Sequence, residues 1–273
     1  MRAARRALLY VALALAAATF IYPFLWMAGT TLKPRNEVGT LGVVPHAPTL
    51  DNYAVLLSRA PVGRAMLNSV LVATAITVSV LVLGSIAAYA MARLEFPGRR
   101  ALNTLTVAVL LVPGQLTLIP TYALVVELGW IDSYAGLIVP FLFNPTAILI
   151  LRQFFLQVPR SLVDAARLDG MGELRILFTI FWPLAKPALA TVGLVTFMGS
   201  WNEVLWPLLV VRDQALMTMP QLVTVFSLGG GAGPGAIAVK LAAAMVLVLP
   251  IVAVYAFLQR YFIESMAGAG VKG

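Results

Sequence analysis

The chain has 273 residues, is 61% hydrophobic and 11% charged, and carries a net charge of +8 with no cysteine. That composition excludes an ordinary soluble globular protein, disulfide stapling and thiolate metal sites, and it describes a membrane protein. The basic residues lie between apolar runs and form no single patch, so they read as cytoplasmic membrane loops and not as a nucleic-acid surface.

Six apolar stretches follow one another along the chain. Residues 7–32, 65–92, 101–126, 133–151 and 241–259 contain no charge, and 187–211 contains Glu203 alone. Each can cross roughly 30 Å of hydrocarbon at about 1.5 Å per residue. Helix is the state that satisfies a backbone in lipid, and the alternation of a membrane β-barrel is absent. The first stretch has the basic start of a signal peptide. Its apolar run continues through Ile21, Phe24, Leu25, Trp26 and Met27 with no polar cleavage region, which favours a retained helix. The expected fold is therefore an all-α, multi-pass membrane protein with a single domain over 1–273. Six spans put both termini on one side. Thirteen of the nineteen Lys and Arg share that side, which makes it cytoplasmic.

One loop, 152–186, departs from the pattern. Its segment "DAARLDGMGELRILFTIFWPLAKP", Asp164–Pro187, gathers Asp164, Arg167, Asp169, Glu173, Arg175 and Lys186. Ser161 with Asp164 three residues on has the form of a capping box, predicting a helix over 161–169 with Gly170 as its left-handed stop. Leu174, Leu177, Phe178 and Phe181 give the second helix, about 172–182, an apolar face. Ala165, Ala166 and Gly170 are small enough for close approach, while Leu168 and Met171 flank the turn as apolar knobs. Two readings of the residues stand side by side: a helix that docks in a partner's groove, or an amphipathic hairpin lying on lipid headgroups.

That segment resembles the EAA loop of ABC-importer permeases, the cytoplasmic hairpin that docks on the ATPase subunit. "NSVLVATAITVSVLVLGSIAAYAMARLEFPGRR", "SWNEVLWPL" and "GAGVKG" are similar to the smaller permease of maltose-type carbohydrate importers, in the same order and over nearly the whole chain. The resemblance implies a type I importer permease fold in the inner membrane. It implies a sugar or oligosaccharide as solute. It also implies four kinds of partner: a second homologous permease, an ABC ATPase dimer, an extracytoplasmic solute-binding protein and membrane lipid. It places Asp164, Ala165, Ala166, Leu168, Asp169, Gly170 and Met171 in the ATPase-coupling element. Two positions depart from the family pattern: Asp164 stands where Glu is usual, and Met171 where Ala is common. The glycine-rich stretch with Gly229, Gly230, Gly231 and Gly233 falls in the region that faces the binding protein in that family, after an apolar part, 215–228, that resembles an interfacial helix.

No phosphate-cradling G-x-x-x-x-G-K-[ST] motif occurs, His46 is the only histidine, and no nucleophile–base pair is visible. The chain is expected to hold no cofactor or metal, with ATP and Mg bound by partner ATPase subunits. Glu203 is the one ionisable residue inside a span, and such a carboxylate is a functional candidate by default. Trp201, Asn202 and Glu203 can offer a stacking face and hydroxyl partners, or hydrogen-bond a neighbouring helix instead. Gln115 and Asn144 sit in proline-interrupted spans that can line a pathway or merely kink. Two rivals to the sugar importer remain. One is an ABC permease for another solute such as glycerol phosphate, which the absence of Lys and Arg in the spans disfavours. The other is a stand-alone secondary transporter, for which one intramembrane carboxylate is thin support.

Overall fold

The computed structural model is described over residues 2–229 and 233–270, with side chains at 6–229, 233 and 235–253. All regular structure among these residues is helical: α1 (Arg2–Thr31), α2 (Asp51–Arg59), α3 (Val62–Arg93), α4 (Arg99–Val109), α5 (Gly114–Glu127), α6 (Tyr134–Ile138) and α7 (Pro145–Gln157). There follow α8 (Arg160–Leu168), α9 (Glu173–Ile176), a π-helical turn (Leu177–Phe181), α10 (Trp182–Leu184), α11 (Lys186–Trp201), α12 (Leu205–Val210), α13 (Met219–Gly229) and α14 (Pro234–Gly270).

Three helical stretches are long and apolar enough to cross a membrane, Arg6–Thr31, Val62–Arg93 and Gly235–Ala253. Three more candidates are helix pairs bent at a short break, by 103° between α4 and α5, 43° between Tyr134–Phe141 and α7, and 88° between Glu173–Leu184 and α11. The apolar run 101–126 is therefore not one straight helix. Pro113 lacks an N–H and disfavours helical backbone at Val112, and the chain closes with tight i→i−3 bonds from Leu110, Leu111 and Val112 before restarting at Gly114. The run 187–211 likewise ends its first helix at Trp201 and resumes as α12.

The chain divides into two compact units, Met1–Gly63 with Leu222–Pro250 and Arg64–Gln221 with Ile251–Gly273. In the first, the loop after α1 is fastened to its own helix. Trp26 Nε1 donates to Thr40 O at 3.1 Å, and Asn52 Nδ2 donates to Thr31 O and Lys33 O at 2.9 Å each, closing the C-terminal end of α1. Lys33 is 1% exposed, and its ammonium donates to Thr40 O, Thr40 Oγ1 and Gly42 O at 2.9, 3.0 and 2.6 Å. At Gly29 a Cβ would lie 1.8 Å from Val43 O, so only glycine admits this crossing.

In the second unit, a polar corner ties distant segments together. Asn68 Nδ2 donates to Ala215 O and Met217 O, Tyr134 Oη donates to Asn68 Oδ1 at 2.7 Å, and Ser69 Oγ accepts from Met219 N at 2.7 Å. Asp132 takes φ +51° and accepts from the amides of Arg212 and Asp213 at 2.5 and 2.9 Å. Those two amides, Asp213 first, hold its carboxyl below the ordinary carboxylate range. The apolar part expected at 215–228 forms helix only from Met219, and its first turn is buried, with Gln221 Nε2 donating to Val211 O at 2.8 Å.

Candidate functional site

The hairpin starts one residue before Ser161. Pro159 occupies the N-cap and makes no side-chain bond, so the capping-box reading of Ser161 and Asp164 does not hold. Asp164 is exposed and pairs with Arg167 at 3.8 Å. The end of α8 is as the glycine predicts. Gly170 has φ +76°, Met171 N donates to Ala166 O at 3.0 Å and Gly170 N donates to Arg167 O at 3.0 Å, the paired bonds of a Schellman stop.

The turn presents its knob outward. Leu168 is 89% exposed, and Ala165, Asp169 and Gly170 are exposed with it, while Ala166 is buried and Met171 is half-buried. The second arm is not one regular helix. α9 passes into the π-helical turn, whose Leu177 and Phe181 are fully buried. Glu173, at the start of α9, receives Arg167 Nε at 2.9 Å and Arg167 Nη2 at 3.3 Å, and Tyr89 Oη of α3 at 2.5 Å. The bonds from Arg167 hold the Glu173 carboxyl below the ordinary carboxylate range despite partial burial.

The second candidate region is a cavity of about 320 Å³ in the larger unit, lined by Val72, Ile76 and Val80 of α3, Asn144 before α7, Thr196 and Ser200 of α11, and Glu203, among others. An adjoining cavity of about 300 Å³ holds Gln115 and Thr117 and shares Phe141, Glu203 and Trp206 with the first. No Lys or Arg lines either. Glu203 is reached because α11 stops at Trp201. Its Oε1 accepts from Trp206 N at 3.1 Å at the start of α12, and no hydrogen bond to Oε2 forms among the described residues.

The structure thus brings Gln115, Asn144 and Glu203 to one pair of cavities and separates them from Trp201 and Asn202. Trp201 is 1% exposed and stacks on Phe197 at 5.8 Å, and it lines neither cavity. Asn202 Nδ2 donates to Met198 O at 2.8 Å. Asn144 has a local duty too, its Oδ1 accepting from Ala147 N at 3.0 Å as the cap of α7. Gly229 ends α13 and Gly233 has φ +148°, while Gly230 and Gly231 lie outside the described residues.

With this geometry in place, comparison with known proteins is decisive. The family of binding-protein-dependent transport system inner membrane components matches residues 80–268. The chain belongs to that family. It is a multi-pass membrane permease subunit of a binding-protein-dependent transport system. The permease is 32% identical over 259 residues to the arabinooligosaccharides transport system permease protein AraQ of Bacillus subtilis (strain 168), spanning 93% of this chain and 91% of that one. It is 35% identical over 208 residues to the sn-glycerol-3-phosphate transport system permease protein UgpE of Yersinia enterocolitica serotype O:8 / biotype 1B, spanning 76% and 73%. Its fold matches a chain in the crystal structure of a bacterial ABC transporter involved in the import of the acidic polysaccharide alginate, with a TM-score of 0.85 at 22% identity over 96% of this chain and 98% of that one. The architecture is accordingly the type I importer permease fold.

Sequence reasoning missed two groups in the permease. Ser200 and Thr196 lie on the cavity side of α11, which helical spacing back from Glu203 would have found. Tyr89 lay in plain view inside an apolar run, but nothing in the sequence pairs it with Glu173, eighty-four positions away.

Proposed function

We propose that this permease forms half of the translocation pathway for a sugar or oligosaccharide in an ATP-driven ABC importer. Its partners are a second homologous permease, an ABC ATPase dimer that binds ATP and Mg, and an extracytoplasmic solute-binding protein. The chain forms one transmembrane domain of six spans in the inner membrane, about 7–32, 65–92, 101–126, 133–151, 187–211 and 241–259, with loop 152–186 and both termini cytoplasmic. Its hairpin docks on the ATPase with the element formed by Asp164, Ala165, Ala166, Leu168, Asp169, Gly170 and Met171, Ala166 packing beneath the outward face. The loop carrying Gly229, Gly230, Gly231 and Gly233 faces the binding protein. ATP-driven closure draws the hairpin inward and turns the pathway from cytoplasm-facing to outward-facing, a population shift set by differential binding.

The observation that carries the solute class is the lining of the joined cavities. Hydroxyl, amide and carboxylate groups from Thr196, Ser200, Asn144, Gln115 and Glu203 stand beside Phe141 and Trp206, with no cation. Such a lining suits a neutral polyol with apolar ring faces and offers nothing to a phosphate. AraQ supports this reading. The likeness to UgpE is the specific reason to keep glycerol phosphate as the second reading, with a cation supplied by the partner permease. Thermal melting of the cognate binding protein, screened over sugars and glycerol phosphate, decides between them: stabilisation by sugars alone is expected, and stabilisation by glycerol phosphate alone overturns the carbohydrate assignment.

Orientation has its own test. Ser58 and Ser161 are both exposed, and the chain has no native cysteine. With single cysteines at these positions, an impermeant thiol reagent on intact cells is expected to label 58 and spare 161. The reverse labelling overturns the topology.

A further inference from the structure

The hairpin and the cavity are separated along α3, and a shared carboxylate joins both arms of the hairpin to that helix. Tyr89 Oη donates to Glu173 Oε2 at 2.5 Å, and Arg167 grips the same carboxylate through two nitrogens at 2.9 and 3.3 Å. Arg167 belongs to the arm that carries Leu168, Glu173 to the other arm, and Tyr89 to the span. One carboxylate therefore connects all three.

The surroundings make this connection stiff. The Tyr89 ring packs edge-on against Phe181 at 5.0 Å, and Phe181 packs edge-on against Phe155 of α7 at 5.2 Å. The π-helical turn adds one residue to a helical turn and so sets Phe181 between those two rings. Arg93, one turn beyond Tyr89, donates to the carbonyls of Phe155 and Val158 at the end of α7 and stands over the Phe181 ring at 5.4 Å. Its bonds satisfy carbonyls that the end of α7 leaves open.

We propose that Tyr89, Glu173 and Arg167 are a positioning set that makes α3 move with the hairpin, so that displacement of the hairpin reaches the cavity. The proposal rests on the reading of the hairpin as the ATPase-docking element. Val72, Ile76 and Val80 of α3 line the cavity, and Val80 is nine residues from Tyr89, about 13 Å along a helix at ~1.5 Å per residue. α7 provides a parallel route: its far end carries Asn144, which lines the same cavity. Without the carboxylate bridge, the hairpin would still meet its partner but would pull on α3 through ring contacts alone. The bridge adds charge-assisted bonds, shorter, stronger and more directional than neutral ones, to those ring contacts.

The experiment uses the complete reconstituted complex, with both permeases, the ATPase and the binding protein. Tyr89→Phe keeps the ring packing and removes only the hydroxyl; Glu173→Gln keeps the shape and removes the charge. Both variants, and the double variant, are assayed for ATPase co-purification, melting temperature and solute moved per ATP hydrolysed. Wild-type co-purification and melting are expected, with solute moved per ATP falling roughly 3- to 30-fold. The double variant is expected to be no worse than the poorer single, because both break one bridge. An unchanged ratio in both singles overturns the proposal, as does a double variant whose loss is the product of the singles. Loss of ATPase from Tyr89→Phe also overturns it, since the hydroxyl would then be serving docking. Failure of the docking reading itself shows elsewhere, as retained ATPase in Gly170→Val.

Discussion

Two of the breaks in the helical run of this apolar chain, at Asp169–Gly172 and at Asn202–Val204, open in opposite directions. At Asp169–Gly172 the chain turns by a left-handed glycine and puts Leu168, Asp169 and Ala165 outward, with the ion pairs of Arg167 behind them. At Asn202–Val204 it turns without a glycine and sends Glu203 into the cavities, with Trp201 buried behind. The first break serves a surface that another protein can reach, the second a hollow that a small molecule can reach. An interruption of helix in such a chain thus has no meaning of its own. The face each opens decides which of the proposed roles, docking or solute contact, it is fitted to take.

The sharpest way to break this comparison uses two neighbouring alanines. Ala166 is buried and Ala165 is exposed on the outward side of the hairpin. Ala166→Asp is expected to destabilise by about 3 kcal/mol or more, because it buries an unpaired carboxylate. Ala165→Asp is expected to leave the melting temperature of the purified permease within experimental scatter, yet to abolish co-purification of the ATPase. Equal melting temperatures for the two would mean that the outward face has been misassigned.

Gly170→Val comes next in size. An added Cβ would meet nothing within 4 Å, so space is not the obstacle; the obstacle is φ +76°. A β-branched residue there costs about 1–3 kcal/mol or reopens the turn. Membrane insertion is expected to persist, while ATPase binding, or its stimulation by loaded binding protein, is lost. Normal assembly and stimulated turnover would return the hairpin to the headgroup-bound reading.

Glu203→Gln tests the inward break and is expected to act more gently. Its Oε1 can be replaced by an amide oxygen that still accepts from Trp206, so fold and assembly are expected to survive. Transport KM or solute selectivity is expected to change by up to about tenfold, the scale of one ordinary hydrogen bond, because an amide oxygen still accepts. Unchanged KM and selectivity would assign the residue to packing. The smallest effect is expected at Asp132. Its carboxyl is depressed in the fold, so its contribution is present above the unfolded value and fades as pH falls through the folded one. Asp132→Asn, which keeps an acceptor and tolerates positive φ, is expected to flatten the acid limb of a melting-temperature profile with little change at neutral pH. A steeper acid limb would contradict the assignment.

The sequence made much of this visible for a physical reason: lipid demands long charge-free helices, and a charged hairpin between them stands out. Gly170 was legible because only a left-handed stop explains it. The rest depended on tertiary packing. Pro113 announces a break but not a bend of 103°. Ser161 has cap chemistry, yet α8 begins at Arg160 with Pro159 at the N-cap, which leaves Ser161 inside the first turn. Trp201 and Glu203 are two positions apart, and whether they share a face depends on where the helix stops. Continuing α11 through 211 placed them together near a pathway; stopping at Trp201 parts them. The bridge from Tyr89 to Glu173 joins residues whose nearness no local pattern encodes.

The buried lysine of the smaller unit has a practical consequence. The ammonium of Lys33 is enclosed by the oxygens of Thr40 and Gly42, while Lys186 is exposed. An acylating reagent needs a free, accessible amine, so in native protein Lys186 should react and Lys33 should stay silent. Acyl mass appearing on Lys33 as denaturant rises would report the moment this loop lets go, from the protein's own chemistry and with no probe attached.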